Sequence, residues 1–206
     1  MLDEGYIKFK AHWTKKAVFP AEETAKLHQA RQILYQHKLI GAYDNGIGFG
    51  NISQRFLPMN TVKNSINNKN KFLITGSATG NYETLNSSHF SLVTKVNISQ
   101  NSLFCEGPIV ASSESMSHAV IYHTCPEVGA VVHVHSLALW QQLLWKIPTT
   151  DADAAYGTPE MANSIVDLLK NTDLRHSKLF VMSGHEEGIF SFGANLEEAV
   201  KIVIDL

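Results

Sequence analysis

Val128-Gly129-Ala130-Val131-Val132-His133-Val134-His135 is a run whose β-branched density predicts a buried strand. Strand side chains alternate between faces, so His133 and His135 project the same way and can grip one metal ion. Nineteen residues before His133 stands Glu114, in Ser112-Ser113-Glu114. Fifty residues after His135 stands His185, in Met182-Ser183-Gly184-His185-Glu186-Glu187-Gly188. Three neutral imidazoles beside a carboxylate describe a candidate catalytic metal site that keeps coordination positions for substrate.

Each of these residues also has a plainer reading. The chain holds 10 histidines, so chance pairs are expected, although two imidazoles on an apolar strand must satisfy their nitrogens somehow. Glu114 reads equally as a first-turn carboxylate that suits a helix dipole, and Ser112 and Ser113 as caps. Gly76 to Gly80 is a small-residue turn that could expose backbone N–H groups as an anion nest, a common feature on its own.

The 206 residues, 44% hydrophobic, can bury a sizeable core, and the length favours a single domain over residues 1–206. With 17 basic and 19 acidic side chains, a formal charge of -2 and no Lys/Arg block, there is no electrostatic footprint for nucleic acid or anionic membranes. No apolar run approaches the roughly 20 residues of a membrane span, and Met1-Leu2-Asp3-Glu4-Gly5-Tyr6 lacks the order of a signal peptide. The expectation is a cytoplasmic protein. Cys105 and Cys125 lie in no CxxC, and reduced thiols are expected.

After a polar opening, Pro20 and Glu22-Glu23 start a helix with apolar positions at Leu27, Ala30, Ile33, Leu34 and Ile40, stopped by Gly41. A glycine-rich stretch, 41–50, leads into a strand over 51–56, and a surface hairpin loop is expected over 58–71. Strands follow at 71–75, 90–98 and 102–110. Ser112 fits the N-cap of a helix through Tyr122, ended by Cys125-Pro126. A helix over 138–145 follows the His-x-His strand, and Thr158-Pro159-Glu160 opens another through Asn171. Strands at 178–182 and 189–192 flank His185, and Asn195 can cap a last amphipathic helix. Helices and strands interspersed along the whole length argue for α/β layers with a sheet between helices.

The combination of motifs resembles the class II aldolase/adducin family. The residues carrying the likeness are Gly50-Asn51-Ile52-Ser53, Ile74-Thr75-Gly76-Ser77-Ala78-Thr79-Gly80, Ser112-Ser113-Glu114 with His118 and Tyr122, Val132-His133-Val134-His135-Ser136, and Gly184-His185-Glu186-Glu187-Gly188. They stand in family order from about residue 25 onward. The resemblance implies a three-layer α/β/α fold with a central, largely antiparallel or mixed sheet. It implies a zinc-type divalent ion (Zn²⁺, or Mn²⁺, Fe²⁺ or Co²⁺) on His133, His135 and His185, with Glu114 as the acid/base beside it. Gly50, Asn51, Thr79, Gly80, Ser112 and Ser113 match the segments of the family's phosphate pocket, whose hydroxyls and N–H groups need no lysine. The turn is longer than the usual Thr/Lys-Pro-Ser/Thr-Gly, which points to Thr79-Gly80 rather than Thr75-Gly76 as phosphate donors.

The activity so implied is that of a metal-dependent lyase, an aldolase. It would cleave or form a small hydroxy-carbonyl compound, such as a sugar phosphate, through a metal-stabilised enediolate, in a homotetramer of carbohydrate metabolism. An epimerase or dehydratase would use the same metal chemistry. Asp153, in Thr150 to Gly157, matches the epimerase's catalytic aspartate and also reads as an ordinary loop carboxylate. An adducin-like self-association module is the non-catalytic alternative, and it would be expected to lack the metal ligands that are all present here.

Overall fold

A computed structural model describes residues 5–56 and 70–206. In chain order the elements are β1 (Lys10–Lys15), α1 (Ala21–Gln36), β2 (Gly41–Ala42), β3 (Gly48–Phe49), β4 (Asn51–Arg55), β5 (Phe72–Thr75), β6 (Phe90–Asn97) and β7 (Ser102–Gly107). They continue with α2 (Ser115–Thr124), β8 (Ala130–His135), α3 (Leu137–Leu143), α4 (Pro159–Asn171), α5 (Leu174–Ser177), β9 (Leu179–Val181), β10 (Gly188–Gly193) and α6 (Leu196–Ile204).

Eight strands form one sheet in the order β1-β7-β6-β5-β4-β8-β10-β9. Every pairing in it is antiparallel except β1 with β7, so the sheet is mixed, as the family likeness implies. β8 lies between β4 and β10, with all six of its residues buried. Its alternation builds the two layers of core. Val132 and Val134 pack with Leu27 and Leu34 of α1 and with Ala199 and Val203 of α6. Val131, on the other face, packs with Val120 of α2, Ile165 of α4 and Phe190 of β10. Helices thus cover both faces, and the imidazoles of His133 and His135 fall on the side of α2 and α4.

The caps follow the local sequence. The Thr158 hydroxyl accepts a hydrogen bond from Met161 N–H (3.3 Å) ahead of Pro159, and the Asn195 side chain accepts one from Glu198 N–H (3.0 Å). Lys178 and Glu198 form an ion pair that ties α6 to the start of β9. Cys105 and Cys125 are buried free thiols.

Three expectations are corrected, and a fourth falls largely on residues that are not described. α1 ends at Gln36, short of Gly41, because Lys38 turns left-handed (φ 58°) while Leu39 N–H returns to Leu34 O at 3.0 Å. The cap position of α2 is Glu114 rather than Ser112, whose hydroxyl instead accepts from Glu114 N–H at 3.4 Å. Lys10–Lys15 is a strand within the polar opening, exposed at every position and held at the edge by parallel pairing with β7. The loop expected over 58–71 lies outside the described residues except for residues 70 and 71.

Gly129 marks where β8 meets β10. A Cβ there would lie 2.1 Å from the carbonyl oxygen of Ala194. Gly129→Ala is expected to lower the stability to denaturant unfolding by about 1–3 kcal/mol, the usual cost of overpacking; an unchanged midpoint would mean that the junction yields freely.

Candidate metal centre

The register of the sheet assembles the site. His133 is opposite Phe190 of β10 and Asn51 of β4, while His135 is opposite Gly188. Gly188 leaves room for His185, whose ring carbon Cδ2 would lie 2.7 Å from a Cβ at that position. One donor nitrogen from each of His133, His135 and His185 lies within 4.8 Å of the others, and all three residues are buried. Glu114, fully buried, brings Oε1 to 3.6 Å from His185 Nε2 and 3.9 Å from His133 Nε2, while Oε2 accepts a hydrogen bond from Ser117 Oγ (2.9 Å). The chain thus gathers four side chains from β8, the β9–β10 turn and the start of α2.

Hydrogen bonding behind the rings sets their tautomers. The Ile189 carbonyl can only accept, so His133 Nδ1 carries the proton and donates to it at 3.2 Å. Tyr43 donates its hydroxyl hydrogen to Glu187 Oε2 (2.8 Å) and therefore accepts from His135 Nδ1 at 2.9 Å. Both Nε2 atoms then carry lone pairs, and they face each other 3.0 Å apart. Two lone pairs so directed, beside a buried carboxylate, fit a cation held between them. Nitrogens at about 2.0–2.1 Å from one tetrahedral zinc-type ion lie about 3.4 Å apart, so the triad, whose nitrogens lie within 4.8 Å of one another, would close by up to about 1.4 Å around it. Burial, with His135 and His185 as neighbours, holds His133 well below the ordinary histidine pKa, which keeps it a neutral ligand. The Glu187 carboxyl is held below its usual range by His135 first and by the Tyr43 hydrogen bond as well.

An aromatic ring packs against each imidazole: Phe190 on His133 (4.4 Å between centroids), Phe49 on His135 (5.4 Å) and Tyr156 on His185 (4.7 Å). Deeper in the same face, His118 Nε2 lies 2.6 Å from Asn51 Oδ1 and His118 Nδ1 lies 2.7 Å from Ser53 Oγ, itself 2.8 Å from Tyr122 Oη. Burial pushes His118 down to about 3, so the ring is neutral. A neutral ring must then donate from Nε2 to Asn51 and accept from Ser53, which in turn accepts from Tyr122. The relay fixes the amide of Asn51 next to His133.

The other candidate residues gather at the same end of the sheet. Gly50 takes φ 74° where a Cβ would meet Ile40 at 2.8 Å and His133 O at 3.1 Å. Ile52 N–H donates to Thr75 Oγ1 (3.3 Å), and Gly76 bridges to Ala111, directly before Ser112 and Ser113. Asn51, Thr79, Ser112 and Ser113 are all buried, and the Thr79 hydroxyl turns inward to Gly76 O (2.8 Å). Asp153 is exposed on the loop after β8 and α3. No sequence signal singled out Tyr43, Phe49 or Tyr156; His118, Tyr122 and Glu187 carried the family likeness without an assigned role.

A family model, the Class II Aldolase and Adducin N-terminal domain, matches residues 26–206. The chain belongs to the class II aldolase and adducin family. The fold of this class II aldolase/adducin chain is similar to that of an L-fuculose 1-phosphate aldolase, with 19% identity over 91% of this chain and 82% of that one and a TM-score of 0.65. It is similar as well to a sugar-phosphate aldolase from Thermotoga maritima (20% identity; 89% and 90% of the two chains; TM-score 0.62). An L-fuculose-1-phosphate aldolase from Thermus thermophilus matches at 24% identity over 87% and 88%, with a TM-score of 0.54.

Two outcomes test the hydrogen bonding of this class II aldolase/adducin site. Unfolding releases His118 to titrate near 6.5, so the unfolded chain takes up a proton that the folded chain refuses until about pH 3. Stability should therefore fall as the pH drops from 6.5 toward 3, by up to about 1.4 kcal/mol per pH unit from this residue. His118→Gln should flatten that part of the profile in denaturant titrations at successive pH values. Tyr43→Phe removes the acceptor at His135 Nδ1 and is expected to weaken divalent-metal affinity about 10-fold or more in competition with a chromophoric chelator.

Proposed function

We propose that this protein is a metal-dependent lyase that cleaves or forms a small hydroxy-carbonyl compound carrying a phosphate. The observation that carries the reading is the buried cluster of His133, His135 and His185 with Glu114 at 3.6 Å from His185 and 3.9 Å from His133. The three imidazoles would hold the ion, and the donor set suits Zn²⁺, Mn²⁺, Fe²⁺ or Co²⁺. When bound, such an ion supplies Lewis acidity, drawing electron density from a carbonyl and its adjacent hydroxyl.

Glu114 is the proton carrier. Ser117 binds Oε2 and leaves Oε1 turned to the imidazoles, so the carboxylate meets a substrate seated there from one side. In synthesis it takes a proton from the carbon beside the carbonyl; in cleavage it returns that proton. Asn51, held by His118, and Ser112 and Ser113, beside Glu114, would receive the phosphate with the Thr79-Gly80 turn, through hydroxyls and N–H groups. Phe190, Phe49 and Tyr156 restrict the three rings and keep water from their faces, which strengthens the electrostatics of the cluster.

Elemental analysis should find about one divalent ion per chain in the wild type and almost none in a His133→Ala/His135→Ala double variant. Glu114→Gln should keep the ion and lose about 10²-fold or more in turnover. Two carbonyl fragments as products support the lyase, whereas a stereoisomer would mark an epimerase and loss of water a dehydratase. A wild type that retains no ion after exposure to excess divalent metal would end the lyase reading in favour of an adducin-like module.

A further inference from the structure

Arg31 of α1 is 1% exposed, and its hydrogen-bonding partners are backbone carbonyls. Nη1 donates to Glu83 O at 2.9 Å, and Nη2 donates to Gly80 O at 2.9 Å and Thr79 O at 3.4 Å, with the guanidinium lying over the Tyr35 ring. Among the described residues no carboxylate forms an ion pair with it. A buried charge without a counter-ion is costly, and an apolar side chain would fill the same space between helix and turn without that cost. The charge has to be explained by what it does to the turn.

The C=O and N–H of a trans peptide point in opposite directions. With the carbonyls of Thr79 and Gly80 drawn onto the guanidinium, the N–H groups of Gly80 and Asn81 face away from α1. α1 packs on the face of the sheet opposite to His133 and His135, and a Cβ built on Gly48 of β3 would lie 3.0 Å from Gly80 N and 3.3 Å from Asn81 N, so the two amides abut the hairpin that carries Phe49. The turn also sits close to that cluster. A Cβ on Gly80 would meet Gly41 O at 2.4 Å and Phe49 N at 2.7 Å, and Phe49 is the residue stacked on His135.

We propose that Arg31 is a positioning residue for an oxyanion of the substrate. Its guanidinium holds the 79–81 turn with two N–H groups directed at the site and sets a positive charge behind them, so that a phosphate-type group is received by backbone amides without any cationic side chain touching it. The proposal rests on reading the histidine cluster as a substrate site and goes beyond it by naming what makes the turn anion-selective. Lysine cannot replace this arrangement, because one ammonium head does not span three carbonyls as a planar guanidinium does.

The test is a titration of ¹⁵N-labelled, metal-loaded protein with inorganic phosphate, following the amide resonances of Gly80 and Asn81. Saturable shifts at both amides are expected in the wild type. Arg31→Lys should raise the apparent dissociation constant about 10-fold or more, and Arg31→Met should abolish the response, with metal content unchanged in each. Should Arg31→Met fail to fold, the comparison of wild type with Arg31→Lys decides alone. Wild-type affinity in Arg31→Lys, or no shift at Gly80 and Asn81 in the wild type, would overturn the proposal. Loss of metal from the wild type would instead remove the lyase reading, while the amide shifts would still judge Arg31.

Discussion

The structure depends on β8 being paired along both edges. A strand with β4 on one side and β10 on the other has no freedom of register, and because side chains alternate, a slip of one residue would send His133 and His135 into the apolar layer under α1 and α6. Burial of Val132 and Val134 in that layer therefore fixes the direction of the imidazoles as firmly as any hydrogen bond to them. The same pairing chooses the neighbours: Asn51 and Phe190 beside His133, and at His135 a glycine, where a side chain would collide with the ring of His185. The site is a consequence of sheet register, completed by one turn and one helix start.

Within that frame hydrogen bonds direct His133, His135 and His118. A carbonyl behind His133 and a phenol bound to a carboxylate behind His135 leave the two Nε2 lone pairs pointed at a common space. A neutral ring at His118 carries direction from Tyr122 through Ser53 to Asn51. In a buried site the alternatives to such satisfaction are costly, so these bonds restrict the site to one arrangement.

Much of this was legible in sequence where a short-range rule applies. Period-two alternation marks His133 and His135, and Thr158-Pro159 and Asn195 announce helix starts through bonds that close within three residues. Glu114 was legible as a residue beside the triad but not as the cap position of α2, since Ser112 offers the stronger local signal. What escaped is of two kinds. β1 shows no alternation because neither of its faces is buried, and its place at the edge comes from pairing with residues about ninety positions away. Tyr43 and Glu187 are separated by 144 residues and meet only because the β2–β3 hairpin and the turn before β10 close over His135. No spacing rule reaches that far.

Arg31 shows the same limit in a single residue. In sequence it is one more polar position on a helix whose apolar stripe runs through Leu27, Ala30 and Leu34. In the fold it lies among the buried residues and spends its charge on three carbonyls of a turn that no local pattern connects to it. Under the proposed role, that placement would reconcile a chain of net charge -2, without a basic cluster, with a site that receives an anion. The attraction would be delivered through peptide dipoles whose carbonyl ends are already occupied, leaving the amide ends for the ligand. The histidine cluster and Glu114 present the complementary demand for a cation a short distance along the same face. On the proposed reading, a substrate that is electron-rich at its carbonyl oxygen and anionic at its other end would answer both demands at once, and its orientation would follow from the order in which β8 and the 79–81 turn meet at the end of the sheet.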